Sequence, residues 1–154
     1  MGMKTLGIDP GYSLVGFGIL EEDRVLDYGC IKTENKPDKL HSQLSEIIQK
    51  HKPDVMAIEK LYFSKNTKTA LRVAEGRGVV MLAAAQAKLP VAEYSPSEIK
   101  LAVTGYGQAD KKQIQMMVKA LLKLSEIPKP DDAADALAVA ICHQNSYRLR
   151  EQTK

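Results

Sequence analysis

Carboxylate side chains occur at three places in the chain that a folded domain could bring together. Asp9 and Glu59 each end an apolar segment of the kind that forms a buried strand, and open α/β sheets bind ligands at such strand ends. Asp132 and Asp135 lie three residues apart, on one face of a predicted helix. Close carboxylates repel one another, by about 4 kcal/mol for a pair roughly 4 Å apart at an effective dielectric of about 20. Divalent cations relieve this repulsion, so the pattern predicts a metal site.

The chemistry of the predicted site follows from its ligands, which are all oxygen atoms. Such ligands suit Mg²⁺, with Mn²⁺ as the alternative ion. A cluster of four carboxylates can hold two ions, which activate water and stabilise a leaving oxygen in phosphodiester hydrolysis. We therefore expect two ions in the site, bridged by Asp9.

The aspartates also have a simpler interpretation. Asp9 precedes Pro10 and Gly11, and aspartate is common at the first position of a turn. Asp131 suits the N-cap of a helix, and an acidic residue after it complements the helix dipole. These structural roles account for one or two of the aspartates, and less readily for all of them.

Composition narrows the class of protein. The 154 residues suit a single domain spanning 1–154, and a hydrophobic content of 44% excludes a disordered chain. The histidines and cysteines are few and scattered, which argues against a zinc site or a disulfide framework. Apolar runs such as 79–87 are far shorter than a membrane span of about 20 residues, and no leader sequence opens the chain. We therefore expect a cytoplasmic protein.

Positive charge is concentrated in the second part of the chain. Residues 1–59 hold 7 basic and 10 acidic residues, whereas residues 60–154 hold 15 and 9. Between residues 60 and 80 the charged residues are Lys60, Lys65, Lys68, Arg72, Arg77 and a single acid, Glu75. This local excess indicates either a path for a phosphate backbone or an ordinary solvated helix face.

The hydrophobic pattern predicts an α/β domain. Strands are expected at Lys4–Asp9, Leu14–Leu20, Arg24–Ile31, Val55–Ile58 and Val91–Tyr94. Helices are expected at Pro37–His51, Asn66–Lys88, Ser95–Val103, Asp110–Leu124 and Asp131–Tyr147. An initial antiparallel meander followed by alternating strands and helices gives a mixed five-stranded sheet with helices on both faces, a three-layer arrangement.

Several motifs together resemble a known family, the RuvC-type Holliday-junction resolvases of the ribonuclease-H-like superfamily. The resemblance spans nearly the whole chain. The segments that carry it are GIDPG (7–11), AIE (57–59) followed by Tyr62 and Phe63, AEGRG (74–78), YSP (94–96) followed by Ile99 and Lys100, GYGQADK (105–111) and DAADALA (132–138). Each motif is weak alone, and their order and spacing make the match specific.

The resemblance assigns roles to individual residues. It implies that the metal ligands are Asp9, Glu59, Asp132 and Asp135, with Asp131 left as a helix cap. It also implies that Lys100 and Lys111 contact the region of the scissile phosphate and assist catalysis, although the adjacent Lys112 leaves the second assignment open.

DNA contacts are expected on the loop and helix that follow Glu59. Tyr62 matches the aromatic residue that stacks on bases near the crossover in this family, and Phe63 is the alternative for that role. The full set of expected DNA-binding residues is Tyr62, Phe63, Lys65, Lys68, Arg72, Arg77 and Lys112.

The resemblance implies a homodimeric, Mg²⁺-dependent endonuclease of recombination and repair. It would resolve four-way DNA junctions by paired symmetric nicks, leaving 5′-phosphate and 3′-hydroxyl ends, in concert with the junction-binding and branch-migration motor proteins of the same pathway. The alternatives are a YqgF-type relative acting on another nucleic acid and a junction-binding module without catalysis. An actin-like or sugar-kinase ATPase is disfavoured by the length of the chain, because such enzymes close two domains over ATP.

Overall fold

The computed structural model describes residues 2–61 and 67–153. Its strands are β1 (Lys4–Pro10), β2 (Leu14–Glu21), β3 (Arg24–Lys32), β4 (Val55–Glu59) and β5 (Val91–Tyr94). Its helices are α1 (Pro37–His51), α2 (Thr67–Gln86), α3 (Pro96–Thr104), α4 (Lys111–Leu121) and α5 (Asp131–Gln152). The elements follow the order predicted from the hydrophobic pattern.

The five strands form one mixed sheet in the order β3-β2-β1-β4-β5. The first three strands pair antiparallel as a meander, whereas β1, β4 and β5 run parallel. Ile8 pairs with Ile58 in the parallel ladder, so the next residues, Asp9 and Glu59, stand side by side at the carboxyl ends of two central strands. The predicted mixed five-stranded sheet is confirmed.

Helices cover both faces of the sheet, which confirms the three-layer arrangement. On one face, the buried side chains Leu40 and Leu44 of α1 and Val80 of α2 pack against sheet residues. On the other face, α3, α4 and α5 share a second core that includes Ile99 and Val118. The apolar positions of each helix therefore decide which face of the sheet it covers.

Helix α5 lies unusually close to the sheet because glycines face it. A Cβ atom placed at Gly7 of β1 would overlap the main-chain carbonyl of Ala136. A Cβ atom at Gly16 of β2 would overlap the main-chain carbonyl of Asp132 and lie 3.0 Å from its Cβ. The absence of side chains at these positions lets the first turns of α5 rest directly on β1 and β2.

Two helix ends differ from the prediction by three residues or more. Helix α5 continues five residues beyond Tyr147, to Gln152, where Arg148 forms ion pairs with Glu22 (3.4 Å) and Asp23 (2.8 Å) on the turn between β2 and β3. These contacts are distant in sequence, which is why local periodicity did not reveal them. Helix α4 ends at Leu121, three residues before the predicted end.

Within residues 2–61 and 67–153, every helix is too short or too polar to span a membrane.

Candidate functional site

Three aspartates meet where α5 crosses the ends of the central strands. Each of Asp9, Asp132 and Asp135 offers one carboxylate oxygen, and these three atoms all lie within 4.8 Å of one another. Asp9 comes from the end of β1, and the other two come from the first turns of α5. All three side chains are partly buried. The structure therefore brings together three of the four predicted metal ligands.

Glu59, the fourth predicted ligand, lies beside this trio without belonging to it. It follows Ile58 at the end of β4, and its charge acts on both Asp9 and Asp135. Burial raises the pKa of Glu59, the charge of Asp135 raises it further, and Lys100 opposes the shift. Glu59 is thus close enough to interact with the trio, although its oxygens lie outside the 4.8 Å set.

The electrostatics of the trio show a strong excess of negative charge. Burial, together with the neighbouring charges of Asp135, Glu59 and Asp132, raises the pKa of Asp9 to about 8, and burial is the largest cause. The side chains of Asp132 and Asp135 lie close enough to the Asp9 carboxyl group to change its affinity for a proton. Burial also raises the pKa of Asp135, while the ammonium group of Lys111 opposes that shift. Without a cation, Asp9 retains a proton at neutral pH.

This donor set fits a divalent cation of the Mg²⁺ type. Three carboxylates with converging oxygen atoms offer hard ligands, which Mg²⁺ and Mn²⁺ prefer. Burial and the neighbouring carboxylates favour a proton on Asp9. A bound cation would stabilise the ionised carboxylate, so it could take the place of that proton.

A cavity of about 310 Å³ opens next to the carboxylates. Glu59 and Asp135 line it together with Lys100 of α3 and Lys111 of α4. The Lys111 ammonium group lies 4.0 Å from the carboxylate of Asp135. Both lysines predicted for catalysis therefore share one cavity with the carboxylates, and this cavity could accept an anionic group such as a phosphodiester.

The predicted N-cap role of Asp131 is wrong. Helix α5 begins at Asp131 itself, so the N-cap position falls on Pro130, whose extended backbone provides no side-chain cap. The Asp131 side chain is exposed and lies 3.4 Å from the ammonium group of Lys111. It thus contacts a predicted catalytic lysine and stays outside the aspartate trio.

The side chains of Lys111 and Lys112 line two different spaces. The sequence alone did not decide which of the two lysines is the catalytic one. Lys111 lines the cavity with the carboxylates, whereas Lys112 lines a neighbouring cleft with Tyr106 and Met116. Both follow the N-cap residue Asp110, whose carboxylate accepts a hydrogen bond from the Gln113 amide. This geometry supports Lys111 as the residue closer to the chemistry.

Three of the other predicted DNA contacts, Lys68, Arg72 and Arg77, lie on α2. Arg77 forms a 2.8 Å ion pair with Glu93 and lines a cavity of about 230 Å³ that also contains Asp9 and Glu59. Arg72 lines a separate cleft between α1 and α2, and Lys68 is exposed in the first turn of α2. The predicted contacts Tyr62, Phe63 and Lys65 lie outside the described residues.

Sequence reasoning missed the glycines that position the site. Gly16 and Gly7 have no chemistry of their own, yet they determine how near α5 comes to β1 and β2. The signal was present as the pair Gly16 and Gly18 in an otherwise apolar strand, because glycine within a strand often marks close approach of another backbone. The identity of the approaching helix was not readable from it.

The chain is similar to proteins of one family over most of its length. Residues 5–143 match the family described as crossover junction endodeoxyribonuclease RuvC. The RuvC protein of Halothermothrix orenii is 52% identical over 160 residues, covering 97% of each chain. The RuvC protein of Caldicellulosiruptor saccharolyticus is 54% identical over 152 residues, covering 92% of each chain.

Solved structures show the same fold. A structure of T. thermophilus RuvC in complex with a Holliday junction substrate superposes with a TM-score of 0.91 and 31% identity, covering 96% of each chain. The yeast mitochondrial Holliday junction resolvase superposes with a TM-score of 0.64 at 13% identity, covering 99% of this chain and 87% of the other. The second likeness concerns the fold alone.

Proposed function

Because the chain belongs to the RuvC family of crossover junction endodeoxyribonucleases, we propose that residues 1–154, as one domain, resolve four-way DNA junctions by metal-dependent hydrolysis. The observation that carries this function is the aspartate trio, Asp9, Asp132 and Asp135, beside a cavity lined by two lysines. The reaction would leave 5′-phosphate and 3′-hydroxyl ends. It would serve recombination and repair.

We propose that Asp9, Asp132 and Asp135 hold the cations, with Glu59 completing the site. The cation would be Mg²⁺, or Mn²⁺ in its place, with two ions in each site and Asp9 among their ligands. When bound, the ions supply Lewis-acid stabilisation of the negative charge that develops on the phosphodiester oxygens. The carboxylates orient the ions, and Asp9 must lose its proton before it can bind them.

The two lysines act on the DNA phosphate. Lys111 is held near the carboxylates by Asp131 and Asp135, and these charges outweigh burial and raise its pKa, so it remains a cation. Lys100 lines the same cavity, and its positive charge acts to lower the pKa of Glu59. Two fixed positive charges in this cavity would orient the scissile phosphate and stabilise the negative charge that develops in the transition state.

Binding of the junction would extend from this cavity across the positive surface of α2. Lys68 and Arg72 on α2 and Lys112 on α4 would contact phosphates, and Arg77 would do so beside Asp9 and Glu59. In the segment outside the described residues, Tyr62 or Phe63 would stack on bases near the crossover, and Lys65 would contact the backbone.

We propose that two copies of the chain pair through α2. Leu71 and Leu82 are 61% and 52% exposed, and the exposed Gly78 lies between them on the same side of the helix. A Cβ atom at Gly78 would meet nothing within 4 Å, so a second helix has room to approach. A twofold dimer would place two active sites on a twofold junction.

The dimer is tested by sedimentation of the wild type and two variants. Leu82→Glu should shift the protein to a monomer and abolish paired nicking. Leu101→Glu, which changes a residue 57% exposed on α3, should remain a dimer. A dimeric Leu82→Glu variant would place the interface elsewhere.

The motor proteins that drive branch migration are the proposed partners of this dimer. Addition of the purified junction-binding and motor proteins should increase cleavage of junctions that must migrate to reach a preferred sequence. Immobile junctions provide the control, because migration cannot affect them.

The function is tested with a labelled four-way junction and a linear duplex of matched sequence, each with Mg²⁺ and with EDTA. We expect symmetric nicks in the junction only, and only with Mg²⁺. Cleavage of RNA or of another DNA structure alone would favour a YqgF-type activity. Binding without cleavage at any metal concentration would favour a junction-binding module.

A further inference from the structure

We propose that Tyr106, on the loop between α3 and α4, forms a stacking site for one DNA base next to the cleavage cavity. This inference rests on the proposed function and specifies a further part of its DNA-binding surface. Tyr106 belongs to the segment GYGQADK (105–111). It is neither a proposed metal ligand nor one of the two lysines proposed to contact the scissile phosphate.

The loop holds Tyr106 in a defined position. The hydroxyl group of Thr104 donates a hydrogen bond to the Lys100 carbonyl (2.7 Å) and accepts one from the Tyr106 amide (3.0 Å). The Ala109 amide donates to the Tyr106 carbonyl (3.1 Å), and the phenol hydroxyl donates to Gln108 Oε1 (3.2 Å). Both backbone polar groups of Tyr106 are thus bonded within the loop, which reduces the entropy cost of using its side chain for binding.

The side chain itself is available. Tyr106 is 55% exposed, and it lines a cleft of about 450 Å³ with Met116, Met117 and Lys112. Met116 is 51% exposed on the same cleft. An aromatic ring, two polarisable thioethers and one ammonium group line this cleft, together with the Asp110 carboxylate, which accepts the hydrogen bond of the Gln113 amide.

The cleft is continuous with the cleavage cavity. Ala109 and Asp110 line both, so the two spaces meet along one short stretch of the loop. Lys111 lies on the cavity side and Lys112 on the cleft side. A strand whose scissile phosphate lies near Lys111 would therefore pass Lys112 and bring a nearby nucleotide to Tyr106.

A nucleobase is the occupant that this arrangement favours. Bases stack on aromatic side chains whatever their sequence, at about 1–3 kcal/mol per base. Lys112 would neutralise the phosphate that accompanies the stacked base. Strands at a four-way junction that open near the cut would present such a base.

The test uses junctions that carry a single 2-aminopurine at successive positions on both sides of the cut. Its fluorescence falls when the base stacks on an aromatic ring. We expect quenching at one position by the wild type and by Tyr106→Phe, and no quenching at that position by Tyr106→Ala. The Tyr106→Ala variant should also bind the junction about 5- to 150-fold more weakly, the factor that corresponds to the loss of one stacked base.

The control variant is Leu149→Ala, which removes a side chain 63% exposed near the end of α5. It should bind and quench like the wild type. Binding of Tyr106→Ala with wild-type affinity and wild-type quenching would overturn the stacking site, even if the protein cleaves junctions normally. If the wild type fails to cleave junctions, the proposed function fails, whereas quenching that depends on Tyr106 would still support a base at this cleft.

Discussion

The main-chain carbonyl of Asp132 rests against Gly16 so closely that no side chain fits between them. Gly16 lies in β2 next to Asp9, its partner in the antiparallel ladder. One glycine thus sets the distance between a strand that carries one carboxylate and a helix that carries two. The metal site depends on this backbone contact as much as on its charged residues.

Gly16→Ala should therefore impair metal binding more than it impairs folding. The added methyl group would push Asp132 away from Asp9, and a displacement of about 1 Å at a catalytic group can cost about 100-fold in rate. We expect weaker stabilisation by Mg²⁺ in thermal unfolding and a fall in cleavage of that order.

Gly18→Ala is the matched control for this substitution. It lies two residues along the same strand, and its added Cβ would lie 2.5 Å from Cδ2 of Leu137, a flexible side chain. We expect a loss of about 1–3 kcal/mol in the free energy of unfolding. Stabilisation by Mg²⁺ should remain. Equal loss of Mg²⁺ binding in both variants would show that Gly16 has no specific positioning role.

Local pattern was sufficient for the order of the elements and for the three aspartates that the structure brings together, with Glu59 beside them. Asp9 and Glu59 were identified because each ends an apolar strand, and Asp132 and Asp135 because their spacing places them on one helix face. The parallel pairing of Ile8 with Ile58 then puts the two strand ends side by side. These features depend on periodicity, which a single sequence contains.

The remaining features depend on contacts between distant residues. The approach of Asp132 to Gly16 joins residues more than 100 positions apart, and the Arg148 ion pairs that accompany the extended α5 cross a similar separation. Asp131 was assigned a cap because its residue type suits one, but the helix starts one residue earlier than that role requires. Its partner is Lys111 of another helix, which local propensity does not report.

The metal-free protein should lose stability as the pH rises, and Asp9 should account for much of that loss. Its pKa is raised from 3.8 to about 8 on folding, so the folded state holds a proton that the unfolded chain releases. The resulting stability is full below pH 3.8 and disappears as the pH rises through about 8. Asp9→Asn should reduce this slope and raise the melting temperature in EDTA at about pH 8.

Thermal unfolding in EDTA between about pH 5 and about pH 8 measures this effect. Asp38→Asn, an exposed position in α1, is the control and should leave the slope unchanged. An Asp9→Asn variant with the same pH dependence as the wild type would show that Asp9 does not hold the excess proton.

Substitution of Lys111 should lower the cleavage rate, whereas substitution of Lys112 should lower the affinity for the junction. Lys111→Met removes a charge from the cavity of the carboxylates, so the single-turnover rate should fall by about 10- to 1000-fold with little change in junction affinity. Lys112→Met should weaken binding and reduce the salt dependence of the affinity by about one phosphate contact, at an unchanged rate. A lower cleavage rate for Lys112→Met, together with weaker junction binding by Lys111→Met, would reverse the two roles.

The buried pair Tyr94 and His143 should matter for stability and not for chemistry. The Tyr94 hydroxyl and His143 Nδ1 lie 2.7 Å apart, joining the end of β5 to α5. Burial lowers the pKa of His143, so its ring is neutral and can accept this hydrogen bond. Tyr94→Phe should cost about 1–3 kcal/mol in the free energy of unfolding by denaturant titration. A large fall in the cleavage rate of the folded variant would contradict this structural role.

We propose that the aspartate trio would hold the metal ions on which cleavage of the junction depends. The most direct test is single-turnover cleavage of a labelled four-way junction in Mg²⁺ by the wild type, Asp9→Asn, Asp135→Asn and the control Asp38→Asn, an exposed position on α1, with enzyme in excess over the junction. We predict that the first two variants bind the junction but cleave more than about 100-fold more slowly, while Asp38→Asn stays within about threefold of the wild type. Cleavage at the wild-type rate by Asp9→Asn or Asp135→Asn would contradict the assignment of the site.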